Sequence, residues 1–150
     1  MREFSDHDHG GCISDALLAL DQHCAQARLK LTSARRRVLE ILLFEHRAVG
    51  AYKILEILQS EGTAPQPPIV YRALDFLVSQ GFAHKVEGLN AFVACAHPGE
   101  RHAPTFLICR KCETVAETKQ EHAQNHGGFR VEHATVEFSG LCGNCQDAST

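Results

Sequence analysis

Apolar positions recur every three or four residues from Ile13 to Leu29, putting Leu17, Leu20, Cys24 and Ala27 on one side, with Ser14 as a candidate N-cap. That spacing predicts a helix. Thr32 is a better cap for a second helix through SARRRVLEILLFEH, where Val38, Ile41, Leu42 and Glu45 stand at helical intervals. A third runs from about Ala51 to Ser60 and stops at Gly62. The most legible helix lies in TAPQPPIVYRALDFLVSQGF, where Pro68 fits the first turn, Gly81 supplies the stop, and Val70, Leu74, Leu77 and Val78 form the buried stripe.

After Gly81 the pattern shortens to alternating runs, Phe82 to Val86 and Ala91 to Cys95, joined by the turn EGLN, which predicts a β-hairpin. Helices followed by such a hairpin suggest a winged helix-turn-helix. The Pro- and Gly-containing stretch AHPGERHAP then reads as a hinge. Beyond it, Thr105 to Ile108 and Thr114 to Glu117 are strand candidates, a polar helix runs roughly from Lys119 to Asn125 and ends at Gly127, and Phe129 to Phe138 alternates as a longer strand. The expected class is α+β. Its divisions are a flexible tail at 1–12, a winged-helix domain at 13–95, a hinge at 96–104, and a small α/β domain with a single sheet and one helix at 105–150.

A chain of 150 residues with 44% apolar and 22% charged content is a globular protein, neither disordered nor collagen-like. No apolar run approaches the ~20 residues of a membrane span, and the start MREFSDHDHGG lacks the basic and apolar segments of an export signal. A cytoplasmic location without a membrane partner is expected. The net charge of −3 argues against a uniformly basic surface, yet no acid stands between Asp21 and Glu40, a stretch that carries Arg28, Lys30, Arg35, Arg36 and Arg37. These arginines are candidates for phosphate contacts, a solvated helix face being the alternative.

Seven cysteines in a reducing compartment bind metal more often than they form disulfides. Cys109 and Cys112 form one C-x-x-C pair, Cys142 and Cys145 another, with 29 residues between the pairs. Each two-residue spacer lets a tight turn aim both sulfurs at one zinc ion ~2.3 Å away, and four thiolates leave no open position for water. That site should stabilise the fold and not catalyse. Enzymatic zinc motifs are absent: His122 and His126 enclose AQN, so no H-E-x-x-H is formed. The chain is not expected to be an enzyme.

The run PPIVYRALDFLVSQGFAHKV, the knuckle ICRKC and the closing LCGNC, in this order, resemble the ferric uptake regulator family, and most closely its zinc-sensing branch, over residues of about 15 to 146. The resemblance implies a winged-helix DNA-binding domain, a hinge, and a dimerisation domain that holds the four-cysteine zinc. It also implies a regulatory zinc, hence two per chain, held here by His84, Cys95, His102 and Glu117. Two imidazoles, a thiolate and a carboxylate suit zinc, and the thiolate of Cys95 disfavours harder ions. His97 competes with His102 for its place. His133 matches a third-site position whose partners are missing, and His23, His46, His122 and His126 read as surface or packed imidazoles. His7, His9 and Cys12 fall in the tail.

On that reading the chain is a zinc-responsive repressor, a homodimer on a palindromic double-stranded operator. Arg72 is the candidate for base contact, because Arg paired with guanine is the commonest specific contact. Tyr71 lies beside it, and by resemblance Tyr52 touches the DNA backbone or a thymine methyl. Ile69 departs from the family, which carries Thr or Ser before VYR. The alternatives are a sensor of iron, manganese, nickel or peroxide, and a zinc-ribbon-like interaction protein whose metal is purely structural.

Overall fold

The computed structural model of the chain describes residues 9–45, 47–63, 65–99, 102–119, 125–132 and 134–147. Four helices come first: α1 (His9–Ala27), α2 (Ser33–Phe44), α3 (Ala51–Ser60) and α4 (Pro67–Ser79). A hairpin follows, of β1 (Ala83–Val86), a short 3-10 turn at Glu87–Leu89 and β2 (Ala91–Ala94). The C-terminal half contains β3 (Pro104–Cys109), β4 (Val115–Lys119), β5 (Asn125–His126), β6 (Phe129–Arg130), β7 (Val136–Gly140) and the short helix α5 (Gly143–Asp147). This is an α+β chain: a winged helix-turn-helix, then a small domain carrying four clustered cysteines.

Local chemistry sets the boundaries. Thr32 caps α2 by accepting a hydrogen bond from the Arg35 backbone N–H at 3.2 Å. Pro67 and Pro68 open α4, and Gly81, at φ +81°, takes the left-handed turn that ends it. Helix α1 begins at His9, ahead of the expected Ile13, so Ser14 lies inside the helix and is not its cap. The stripe of α4 also differs from expectation: Val70, Ala73, Leu74 and Leu77 are buried, whereas Val78 is exposed. At about 100° per residue, the four buried positions span an arc of roughly 100°, and Val78 falls outside it.

The first core joins Leu17, Leu20 and Cys24 of α1 to Val38, Leu39, Ile41 and Leu42 of α2, to Ile54 and Leu58 of α3, and to the α4 stripe. Phe82 and Phe92 close it from the wing. A second, smaller core unites Val86 at the end of β1 with Phe106 and Ile108 of β3, so apolar burial runs across the two halves of the chain.

Strand β3 is central in the C-terminal sheet, antiparallel to β4 and parallel to β7. The alternation from Phe129 to Phe138 does not make one strand. Phe129–Arg130 pairs with β5 across Gly127 and Gly128, both at positive φ, while Val136 onward pairs with β3. The chain leaves one sheet to reach the other, and Gly127 belongs to a hairpin turn of the left-handed type, not to a helix stop. Of the expected polar helix, Lys119 closes β4, Asn125 opens β5, and the residues between lie outside those described. No helix among the described residues is long and apolar enough to cross a membrane.

Leu20 is fully buried and fixes α1 to the core, whereas Leu18 is 55% exposed. Leu20→Ala is expected to cost about 2–5 kcal/mol of folding stability. Leu18→Ala should change it by less than about 0.5 kcal/mol. Urea unfolding at fixed metal content, read from the midpoint at constant slope, checks both, and equal effects would show that α1 does not pack as described.

Candidate metal centres and nucleic-acid interface

The four cysteines converge. Cys109 ends β3, Cys112 lies in the turn before β4, Cys142 stands two residues past the end of β7, and Cys145 sits in α5, with donor sulfurs all within 4.8 Å of one another. The Cys112 and Cys142 sulfurs are 3.8 Å apart. Two thiolates at ~2.3 Å from one tetrahedral ion lie ~3.8 Å apart, so the spacing fits zinc. Charge points the same way. The backbone N–H groups of Cys142 and Cys112 hold the Cys109 thiol down to about 5, whereas its hydrogen bond with Cys142 and its desolvation push Cys145 up to about 12. One sulfur ionises readily and another resists, as expected of four crowded thiols whose anions repel until a dication joins them. Thr114 supports the turn: its Oγ1 is 3.1 Å from the Cys112 sulfur, and its carbonyl accepts from the Cys109 N–H.

A second group draws on both halves of the chain. His84 comes from β1, Cys95 directly follows β2, His102 precedes β3 and Glu117 lies on β4, and their donor atoms also fall within 4.8 Å of one another. The Cys95 sulfur is 3.6 Å from His102 Nε2 and 4.0 Å from Glu117 Oε1. His102 Nε2 and Glu117 Oε1 are 2.6 Å apart. His84 Nε2 lies 3.4 Å from the same oxygen, near enough for attraction but misaligned, and this buried nitrogen has no hydrogen-bond partner. A buried imidazole nitrogen with its lone pair unused, beside a thiol and a carboxylate, is the donor set of a tetrahedral zinc.

Burial works to raise the Glu117 carboxyl, but the attraction of His84, the Ala96 N–H at 2.8 Å and His102 outweigh it and hold the group down to about 2. His97 is not in this group. Its ring stands edge-on to His102 with centroids 5.9 Å apart, and its backbone N–H points to the Cys95 sulfur at 3.3 Å. His23 is a packed imidazole, bonded to Gln80 at 2.8 Å and edge-on to Phe82. Cys12 is exposed on α1, while His7, His46, His122 and His133 and the side chains of His9 and His126 lie outside the described residues.

Tyr52, Tyr71 and Arg72 are exposed, Tyr52 near the start of α3 and the other two on α4 beside exposed Ile69. The arginines of α2 differ from one another. Arg36 pairs with Asp21 of α1 and with Glu40, and Arg37 with Glu40 and with Glu61 at the end of α3. Glu40 of the same helix thus supplies one acid, and α1 and the end of α3 supply the other two, Asp21 and Glu61. Arg35 instead lays its guanidinium over the Phe76 ring of α4, 3.9 Å from the centroid. Contacts that sequence reasoning missed include the Ala96 N–H on Glu117 and two bonds from the wing turn to Glu137. Glu137 carries no motif, and only the strand register reveals it.

No family model matches the chain. The zinc uptake regulation protein of Escherichia coli (strain K12) is 35% identical over 139 residues, which cover 87% of this chain and 81% of that protein. Among solved structures, a zinc uptake regulator complexed with zinc and DNA superposes with a TM-score of 0.82 at 34% identity, covering 91% of this chain and 96% of the other. The holo form of XcZur gives 0.78 at 37% identity over 87% of this chain and 96% of its own, and the apo form 0.53 at 35% over 89% and 97%. With this identity over most of both sequences, the chain belongs to the ferric uptake regulator family, in its zinc uptake regulator branch.

Proposed function

We propose that this chain is a zinc-responsive transcriptional repressor that controls zinc uptake genes, a cytoplasmic homodimer that binds a palindromic operator. The observation that carries the reading is the gathering of His84 and Cys95 from the wing with His102 and Glu117 from beyond it. Residues 13–95 are the DNA-binding domain, 96–104 the hinge and 105–150 the dimerisation domain, with two zinc ions per chain. The relative solved with zinc and DNA, and the closer match to a holo than to an apo form, support this reading.

Bound zinc would supply a rigid tetrahedral junction between the two domains. His84 transmits its position along β1, which follows α4 after a single turn, and the Cys95 N–H bonds to the Phe82 carbonyl at 2.9 Å. Fixing these two side chains therefore fixes α4, the recognition helix. Arg72 and Tyr71 read bases in the major groove, Tyr52 meets the backbone, and Arg35, whose guanidinium faces an aromatic ring and not a carboxylate, is the best placed of the three arginines for a phosphate. Arg36 and Arg37 act mainly within the fold. Phe138, exposed on the edge strand β7, supports dimerisation through this sheet.

Titrated against buffered free zinc, operator affinity should rise by roughly 5- to 150-fold, the range of an ordinary coupling of ~1–3 kcal/mol. Metal analysis should find one zinc resistant to mild chelation and one exchangeable. Cys95→Ser is expected to keep the first, lose the second and abolish the zinc response in gel-shift titrations. A response to manganese alone, or an unchanged zinc response in Cys95→Ser, would sink the assignment. Arg72→Ala should weaken specific binding by about 1–3 kcal/mol and relax preference at one base pair, which a substituted-operator series would reveal.

A further inference from the structure

One cross-strand row of the C-terminal sheet faces the wing. In the register of the three strands, Phe106 of β3 is paired with Glu117 of β4 on one side and with Glu137 of β7 on the other. Residues directly opposite in neighbouring strands share a face. That face meets the wing at three points. Glu117 joins the His84, Cys95 and His102 group. Phe106, fully buried, packs against Val86 and stands edge-on to His84 with ring centroids 5.7 Å apart. The third point involves no metal donor group. The Glu137 carboxylate accepts the Glu87 N–H at 2.6 Å and the Gly88 N–H at 3.0 Å, two successive backbone donors of the wing turn.

We infer that Glu137 is a positioning residue, a metal-independent latch that holds the wing turn against the dimerisation sheet and so favours the domain arrangement in which both the second zinc and the operator bind. The inference rests on the zinc-responsive reading for its functional consequence, but the latch itself is a contact within the chain. Two charge-assisted bonds to successive N–H groups fix both distance and orientation, which a single bond would not. Gly88 is part of the device. A Cβ at this position would stand 3.0 Å from Glu137 Oε2, so a side chain would push the carboxylate by a few tenths of an ångström and loosen its fit to the two donors. The side chain of Glu87 is engaged elsewhere, 3.6 Å from Lys85, and leaves its backbone N–H to Glu137.

The latch pins one end of β1, and the His84 group pins the other. A contact made only in the closed arrangement raises its population before any ligand arrives. Every ligand that prefers that arrangement then binds more tightly.

The test uses the full-length, zinc-loaded protein with Glu137→Ala and, from the opposite side of the contact, Gly88→Ala. Three quantities are read: hydrogen exchange of the Glu87 and Gly88 amides, affinity for the exchangeable zinc by chelator competition, and operator affinity. In Glu137→Ala, amide protection at the turn should fall by about ten-fold or more. Zinc and operator affinities should each fall by about five-fold or more, within the range of an ordinary coupling. The four-cysteine zinc content should not change. Glu137→Gln, which keeps one acceptor oxygen, should fall between the parent and Glu137→Ala, and combining the Gly88 and Glu137 substitutions should cost little more than either alone.

Unchanged exchange at the turn, or zinc affinity within two-fold of the parent, would overturn the inference. So would a loss of operator affinity without a loss of zinc affinity, since that outcome assigns Glu137 to the integrity of the wing and not to domain closure. If the parent protein binds the operator equally with and without zinc, the sensor reading fails instead, and the exchange measurement still decides whether the latch exists.

Discussion

The arrangement of the whole molecule depends on one buried charge, the Glu117 carboxylate. Its side chain is only 4% exposed, yet its neighbours hold it ionised to about pH 2. A carboxylate withdrawn from water is tolerable only when cations and hydrogen-bond donors replace its hydration. Those neighbours are the Ala96 N–H at the start of the hinge stretch and His102 at its end, both within hydrogen-bond distance, and the His84 imidazole on the wing, which attracts the charge from 3.4 Å without a hydrogen bond. The charge on β4 therefore has no satisfactory environment unless the wing and the hinge fold back over the sheet. Cys95 brings a second potential anion to the same place, which turns a satisfied carboxylate into a site that attracts a soft dication.

This constraint explains why the domain contact is built from small parts. The second core contributes Val86, Phe106 and Ile108 as its buried members, far less than the first core gathers from four helices and the wing. A large apolar interface would hold the domains together whatever the metal did. A small one, flanked on one side by a metal group and on the other by the Glu137 carboxylate, leaves the closed arrangement within reach of a ligand's differential affinity.

Much of this was legible in the sequence, because much of it is local. The α4 boundaries follow from Pro67, Pro68 and Gly81, the wing from two alternating runs, and the cysteine pairs from their spacing. The family resemblance pointed to the four residues that converge at the hinge. What the sequence concealed is non-local. Arg36 and Arg37 look like a cationic patch until α1 and α3 bring Asp21 and Glu61 beside them. The run from Phe129 to Phe138 looks continuous until its two ends find different partners. Glu137 looks like an ordinary strand carboxylate, since nothing in its own segment shows that the turn at Gly88 will stand above it.

The two metal groups differ in the same respect, and on the proposed reading this difference would separate a structural role from a sensing one. Cys109, Cys112, Cys142 and Cys145 all belong to the C-terminal half, so a metal bound there stabilises that half whether or not the wing is docked. The hinge group draws its donor atoms from both sides, so the affinity of a metal bound there would depend on how the two sides are arranged. The cysteine site is still not isolated. Thr114, which supports the Cys109–Cys112 turn, also forms a β-bridge with Arg47 in the connection between α2 and α3. The structural zinc would therefore shape the surface on which the DNA-binding half rests, while the hinge zinc would determine how firmly that half rests there.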